Sequence, residues 1–223
     1  MRAFSRVWTV SVAAAAGLAS AACLQKEVTQ SIYISPSGVT WSVTERHVRS
    51  DETSIGARHA EEHEYVLGVH ADRHPPAEAL RRLGARSVTT RWLRRERPYS
   101  VSTEATFEDP RSLIVALLRQ MRLQGDASLV REGCRSTLSV RVNVESIDGE
   151  ADNGLDALLG ELDDYRIVLT EGRFVAADGF KFEGDGVVAV PDVTKTPEHG
   201  TLTLRLVWDD GSCLNPTVRP PSS

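Results

Sequence analysis

The sequence predicts an α+β fold in which antiparallel β-hairpins pack with three to four helices. Three observations predict it. Stretches that alternate apolar and polar residues recur, separated by turn signals such as Pro36-Ser37-Gly38, Glu132-Gly133 and Asp185-Gly186. Stretches of helical periodicity stand apart from these strands. The strand–helix–strand alternation of a doubly wound parallel sheet is missing. With 223 residues, 41% of them hydrophobic and 26% charged, the chain can bury a core and is too apolar for wholesale disorder. A net charge of -5 argues against a dedicated nucleic-acid binder.

Each element follows in order. A short polar tether is expected over 23–30. Alternation over 31–44 around Pro36-Ser37-Gly38 predicts a hairpin. Residues 53–71 have helical periodicity. Pro75-Pro76 opens a second helix that ends at Gly84, with proline inside the start and glycine past the end. Residues 86–95 and 99–107 alternate as strands on either side of Arg97-Pro98. Asp109-Pro110 caps a helix over 111–123, stopped by Gly125, whose stripe is Leu113, Ile114, Leu117, Leu118 and Met121. Residues 129–131 and 135–144 form a hairpin. An acidic loop over 146–154, the best internal break, precedes a helix over 155–162. Strands follow at 165–170, 173–176, 180–183, 187–190 and 201–208, with Gly172, Asp178-Gly179 and Asp185-Gly186 as hairpin turns. Trp41, Trp92 and Trp208 fall on strands, where packing explains them first. Residues 31–210 read as one domain, divisible only near 146–154, and 211–223 as a Pro-rich tail. No second apolar run predicts a transmembrane helix.

The first 22 residues set the compartment. Arg2 and Arg6 precede an apolar stretch over 7–18 that is too short to span a bilayer. Ala19-Ser20-Ala21-Ala22 and then Cys23 follow. This resembles the type II signal peptide and lipobox of bacterial lipoproteins, with Ser20 where leucine is usual. The resemblance implies cleavage before Cys23, a diacylglycerol on its sulfur and an acylated (palmitate-bearing) amino terminus. It places the protein in the cell envelope, lipid-anchored outside the cytoplasm. Leu24 after the cysteine, in place of an aspartate, favours an outer membrane if the host has one. The other reading of these residues is an ordinary signal peptide cut after Ala22.

With Cys23 given to lipid, Cys134 and Cys213 remain. In an oxidising compartment they are expected to form a disulfide, closing a loop of about 80 residues and contributing about 4 kcal/mol in the chain-entropy picture. Two buried free thiols are the alternative.

The stretch YRIVLTEGRFVAADGFKFEGDGVVAV, residues 165–190, resembles the strand–Gly–strand–Gly–strand pattern of envelope lipoproteins of the mycobacterial LppM type. That resemblance implies an α+β lipoprotein domain that binds lipid-like envelope molecules rather than catalysing a reaction.

Candidate chemistry is sparse. His59-Ala60-Glu61-Glu62-His63 has the H-x-x-E-H spacing of inverted zinc peptidases. On a helix, His59 and His63 would share one face as zinc ligands, with Glu62 as general base and Glu132 or Glu145 as a third ligand. A solvated helix face is the plain alternative. On one continuous helix, His59, His63, His70 and His74 would form a stripe beside Ile55, Val66 and Val69. Such a stripe could bind a transition metal or answer to mild acid, or simply border an amphipathic helix.

Seven arginines crowd residues 81–97, with Trp92 among them. Arg91, Arg94, Arg95 and Trp92 are candidates for an anionic-lipid or partner patch. The alternative is internal pairing with the acids of 145–164, which contain no Lys or Arg. Asp148-Gly149-Glu150-Ala151-Asp152-Asn153 fails as a calcium loop, because Asn153 stands at the turn glycine and Leu159 at the bidentate glutamate. No G-x-S-x-G, P-loop or G-x-G-x-x-G occurs. The reading is a non-enzymatic, membrane-anchored envelope lipoprotein without a cofactor. Its ligand is expected to be an amphiphile or an envelope protein, not nucleic acid. The alternative is a small metal-binding protein or zinc hydrolase built on the HAEEH helix.

Overall fold

A computed structural model describes residues 24–120, 122–143, 165–192 and 200–211. The leader, Cys23, the acidic loop, the expected helix over 155–162, Cys213 and nearly all of the Pro-rich tail lie outside the described residues. Within them the chain is mostly strand, with eleven strands and three α-helices.

The first hairpin shows how the pattern works. Strands β1 (Leu24–Ser35) and β2 (Gly38–Ser50) pair antiparallel across a two-residue turn at Pro36-Ser37. Ile32, Ile34, Val39, Trp41 and Val43 fall on one side of the pleat and are buried. The expected tether is therefore corrected. Residues 24–30 belong to β1, with Gln25 opposite Arg49 and Glu27 opposite Arg46. Their polar composition hides a strand whose even-numbered members lean inward.

Helix α1 (Ile55–His70) begins at Ser54, whose hydroxyl accepts the Ala57 N–H. It buries Glu62, Tyr65 and Val69, spaced three and four apart. Helix α2 (Pro75–Arg82) buries Ala77 and Leu80. Strands β3 (Ser87–Arg94) and β4 (Tyr99–Phe107) extend the sheet beside β2. Helix α3 (Pro110–Gln120) is capped by Asp109, which accepts bonds from the Ser112 N–H and hydroxyl, each at 2.9 Å. Those bonds outweigh the desolvation that pushes the Asp109 carboxyl up, and its pKa lies below the usual range. The helix ends earlier than expected. Arg122 adopts a left-handed φ of 57°, and the Leu123 N–H returns to the Leu118 carbonyl at 2.9 Å. Gly125 instead opens strand β5 (Gly125–Glu132), which turns back into β6 (Arg135–Asn143).

The last third departs furthest from simple hairpins. Strands β7 (Tyr165–Leu169), β8 (Arg173–Asp178), β9 (Phe180–Glu183), β10 (Val188–Pro191) and β11 (Thr201–Asp209) divide between two sheets. The seven-stranded sheet runs β3-β4-β2-β1-β7-β10-β9, and the four-stranded sheet runs β5-β6-β11-β8. Strand β7 lies parallel to β1, so the wholly antiparallel expectation is corrected. Gly172 and Gly179 are not hairpin turns but corners where the chain changes sheet. Their φ angles are +82° and +75°. A Cβ on Gly172 would overlap the Asp209 carbonyl, and one on Gly179 would run into Leu204. Asp185-Gly186 does serve a hairpin, in the 3-10 turn Gly184–Gly186 between β9 and β10.

Two apolar clusters result. The larger one lies among both sheets, α2 and α3, and includes Trp41, Phe107, Leu113, Leu206 and Trp208. The smaller one, Val48, Tyr65, Val69 and Val101, joins α1 to the far end of the large sheet.

Candidate functional site

The large sheet covers only one of its faces. Because strand side chains alternate, the partners of its buried residues form an open face. The registers align Arg91, Ser102, Thr44 and Thr29 in one cross-strand row and Thr89, Glu104, Ser42 and Ser31 in the next. A third row contains Ser87, Thr106, Thr40 and Tyr33. Hydroxyl residues thus carpet the middle of the face. Arg91 donates to the Glu104 carboxylate at 2.8 Å, an exposed pair of small energetic weight. A cleft of about 480 Å³ lies here, lined by hydroxyl residues of β2 and β4 together with Tyr33, Arg46, Arg91, Leu93, Glu104 and Thr170. Leu93 is 51% exposed and Tyr33 37% exposed. The lining combines hydroxyls, a guanidinium-rich edge and two apolar platforms. It can hydrogen-bond and ion-pair with a ligand headgroup, but no histidine or cysteine lines it.

A second group of polar residues lies on the covered side. Glu45 is 1% exposed and accepts from Lys26 Nζ at 2.5 Å and from the Tyr65 hydroxyl at 3.0 Å. Burial, then the neighbouring Glu45 charge and bond, pushes the Tyr65 phenol up, so it stays a donor. Glu62 accepts from the Ser50 N–H at 3.1 Å and from Arg97 Nε at 2.8 Å. His74 is 1% exposed, and its Nε2 lies 2.8 Å from Thr103 Oγ1. Its Nδ1 is buried without a hydrogen-bond partner. The sequence reading missed Lys26 and Glu45. Both sit at inward positions of their strands' alternation, which was the signal available.

The predicted site residues separate. Of the zinc constellation, His59 and His63 are exposed on α1, while Glu62 is buried with its carboxylate engaged by Ser50 and Arg97. Glu132 is exposed at the end of β5, and Glu145 lies outside the described residues. Among the described residues no group of three His, Cys, Asp or Glu is placed to hold a metal ion. The histidine stripe is corrected too. Helix α1 ends at His70, and Asp72 turns left-handed with a φ of 55°. His74 is thereby carried to the start of α2 and into the core. His70 instead rests against Trp92, their ring centroids 5.5 Å apart. Ile55, expected on the apolar stripe, is 69% exposed.

The arginine patch also divides. Arg91 lines the open-face cleft. Trp92 points to the opposite side, where it packs edge-on to Tyr99 in the smaller cluster. Arg94 and Arg95 lie at the end of β3 and in the turn beyond it. Arg81, Arg82, Arg86, Arg91 and Arg97 pair with Asp72, Glu78, Glu108, Glu104 and Glu62, while the acidic stretch 145–164 is outside the described residues.

An α+β domain with one covered and one open sheet face is the class that fold and site define. The sequence matches no known protein family, and no curated protein matches it. Among solved structures the chain is similar to the folded domain of LppM from Mycobacterium tuberculosis, determined by NMR. The TM-score is 0.35 at 15% identity, over 82% of this chain and 89% of that one. The LppM resemblance read from residues 165–190 recurs only faintly in three dimensions. No helix among the described residues is long and apolar enough to cross a membrane.

Proposed function

We propose that the protein is a non-enzymatic envelope lipoprotein, anchored by lipid on Cys23, that holds an amphiphilic ligand on the open face of its large sheet. The observation that carries this reading is the cleft lining. Hydroxyls and the Arg46, Arg91 and Glu104 side chains suit a polar headgroup, and exposed Leu93 and Tyr33 suit an apolar part beside it. A photo-crosslinking residue placed at Ser42 should capture a lipid-like envelope molecule in the native envelope, and one at Val130 on β5 should not. Equal capture at both positions, or none at Ser42, would sink the ligand reading. Capture of a protein from Ser42 alone would replace the amphiphile by a partner chain. The anchor is tested separately. Labelled palmitate should enter the wild-type chain and not the Cys23→Ala variant.

The Cys134–Cys213 bridge belongs to the same reading. One observation supports it. The Asp210 N–H donates to the Cys134 carbonyl at 2.9 Å, which brings the chain three residues before Cys213 beside Cys134.

A further inference from the structure

The point where the fold begins has a consequence for how an anchored molecule would sit. Leu24 is the first residue of β1, and it pairs with Ser50 at the end of β2. Its side chain packs on the cluster of Val48, Tyr65, Val69 and Val101, beside Tyr99 and Trp92. Cys23 is bonded directly to Leu24, and consecutive Cα atoms are about 3.8 Å apart. A lipid on Cys23 would therefore leave the domain with no linker. The end of the large sheet that contains Leu24 would be held against the bilayer.

The registers show what shares that end. Val48 pairs with Tyr99, and Ser100 with Arg94, so the β3–β4 turn stands at the same end of the sheet as Leu24. It lies two to three strands away, about 10–15 Å at the usual strand spacing. The turn reads Arg94-Arg95-Glu96-Arg97-Pro98. Arg97 is tied to Glu62 at 2.8 Å. Arg94 and Arg95 are exposed, and among the described residues neither has an acidic partner. Arg94 reaches only the Arg97 carbonyl, at 3.4 Å. Leu93, immediately before them, is half exposed. Asp51 and Glu52 follow Ser50, so the positive surface belongs to this turn and not to the whole pole.

We propose that the β3–β4 turn is a membrane-docking element, in which Arg94 and Arg95 engage the phosphates of anionic phospholipid headgroups and Leu93 sits at the interface. Arginine forks match phosphate oxygens, and a basic side chain near an anionic surface gains from its potential within about a Debye length, roughly 10 Å. The anchor and the turn would together fix the orientation of the domain, with two attachment points instead of a swinging tether. The acyl chains expected on Cys23 are enough to hold the molecule at the bilayer, so what the turn adds is a fixed orientation rather than retention. This inference rests on the lipid-anchor reading for its setting, but its test does not require the lipid.

The experiment uses the chain from residue 23 with Cys23→Ala, sedimented at low salt with phosphatidylglycerol-containing vesicles and with pure phosphatidylcholine vesicles. Binding to the anionic vesicles alone is expected. It should weaken by about thirtyfold in Arg94→Gln/Arg95→Gln, the loss expected for two basic contacts. Arg131→Glu on β5 in the other sheet should bind as the parent does. Both arginines are exposed, so the variants should keep the parent's thermal midpoint, which is measured alongside. No binding to anionic vesicles, or equal loss in Arg131→Glu, would overturn the docking turn. Failure of palmitate to enter the wild-type chain, with vesicle binding intact, would overturn the anchor and leave the turn standing.

Discussion

The two apolar clusters meet the same sheet but are built on different principles. The larger one is dry. Trp41, Phe107, Leu113, Leu206 and Trp208 are packed from several elements, and Trp41 Nε1 donates to Gln30 at 3.1 Å at its edge. The smaller one has four buried apolar members and is wrapped in bonded polar groups: Lys26–Glu45–Tyr65, Ser50–Glu62–Arg97 and His74–Thr103. The difference teaches a division of labour. Dry burial supplies stability without regard to position. Buried hydrogen bonds supply little net stability but penalise every wrong arrangement. Helix α1 is thereby set in place at the end of the sheet that contains Leu24.

The largest way to break this contrast is in the dry cluster. Leu206 is 1% exposed, and Leu206→Ala should cost about 3 kcal/mol through lost burial and the remaining cavity, read by denaturant unfolding. The loss should be nearly independent of pH from 5 to 8. In the polar cluster, Glu45→Ala should cost about 2 kcal/mol, because the Tyr65 hydroxyl loses its acceptor and Lys26 its partner. Lys26 is still 26% exposed in its side chain and can reach water, which holds the loss below that of a fully buried pair. The double variant Lys26→Met/Glu45→Leu should recover all but about 1 kcal/mol. If it is as unstable as Glu45→Ala, the charges are not what organises this cluster.

Most elements were legible in the sequence because binary patterning and turn chemistry act locally. Pro75, Gly84 and Asp109 punctuate the helices where their backbone chemistry requires. Three things were not legible. The polar residues 25, 27 and 29 masked the first half of β1, whose identity depends on its partner β2. Gly172 and Gly179 read as hairpin turns because a φ above zero looks the same at a turn and at a sheet-to-sheet corner. Only the positions of Asp209 and Leu204 tell them apart. Glu62 read as a general base because helical spacing places it near His59 and His63. Its actual partners, Ser50 and Arg97, come from 12 residues before it and 35 after it. The open face was visible only in part. Ser42, Thr44, Ser102 and Glu104 alternate with inward-facing residues, most of them apolar, but the rows across strands depend on register, which a linear pattern does not contain.

The mildest expected effect sharpens the contrast most, because it separates the clusters by pH alone. Of the four histidines read as a stripe, His74 alone is buried, and burial lowers its pKa from the ordinary 6.5. Glu45 and Glu78 oppose that shift, and Lys26 adds to it. A histidine whose pKa is depressed on folding binds more protons unfolded than folded, so its stabilising contribution is whole above pH 6.5. It is lost as the pH falls from there toward the lower folded-state value. Protonation would also add a charge where the His74 Nδ1 has no hydrogen-bond partner. The unfolding midpoint of the wild-type chain should therefore fall between pH 7.5 and 5, and the slope should flatten in His74→Asn. Leu206→Ala should keep the wild-type slope at lower stability. If His74→Asn retains the full slope, the acid sensitivity lies elsewhere, and the polar cluster loses the titrating member that sets it apart from the dry one.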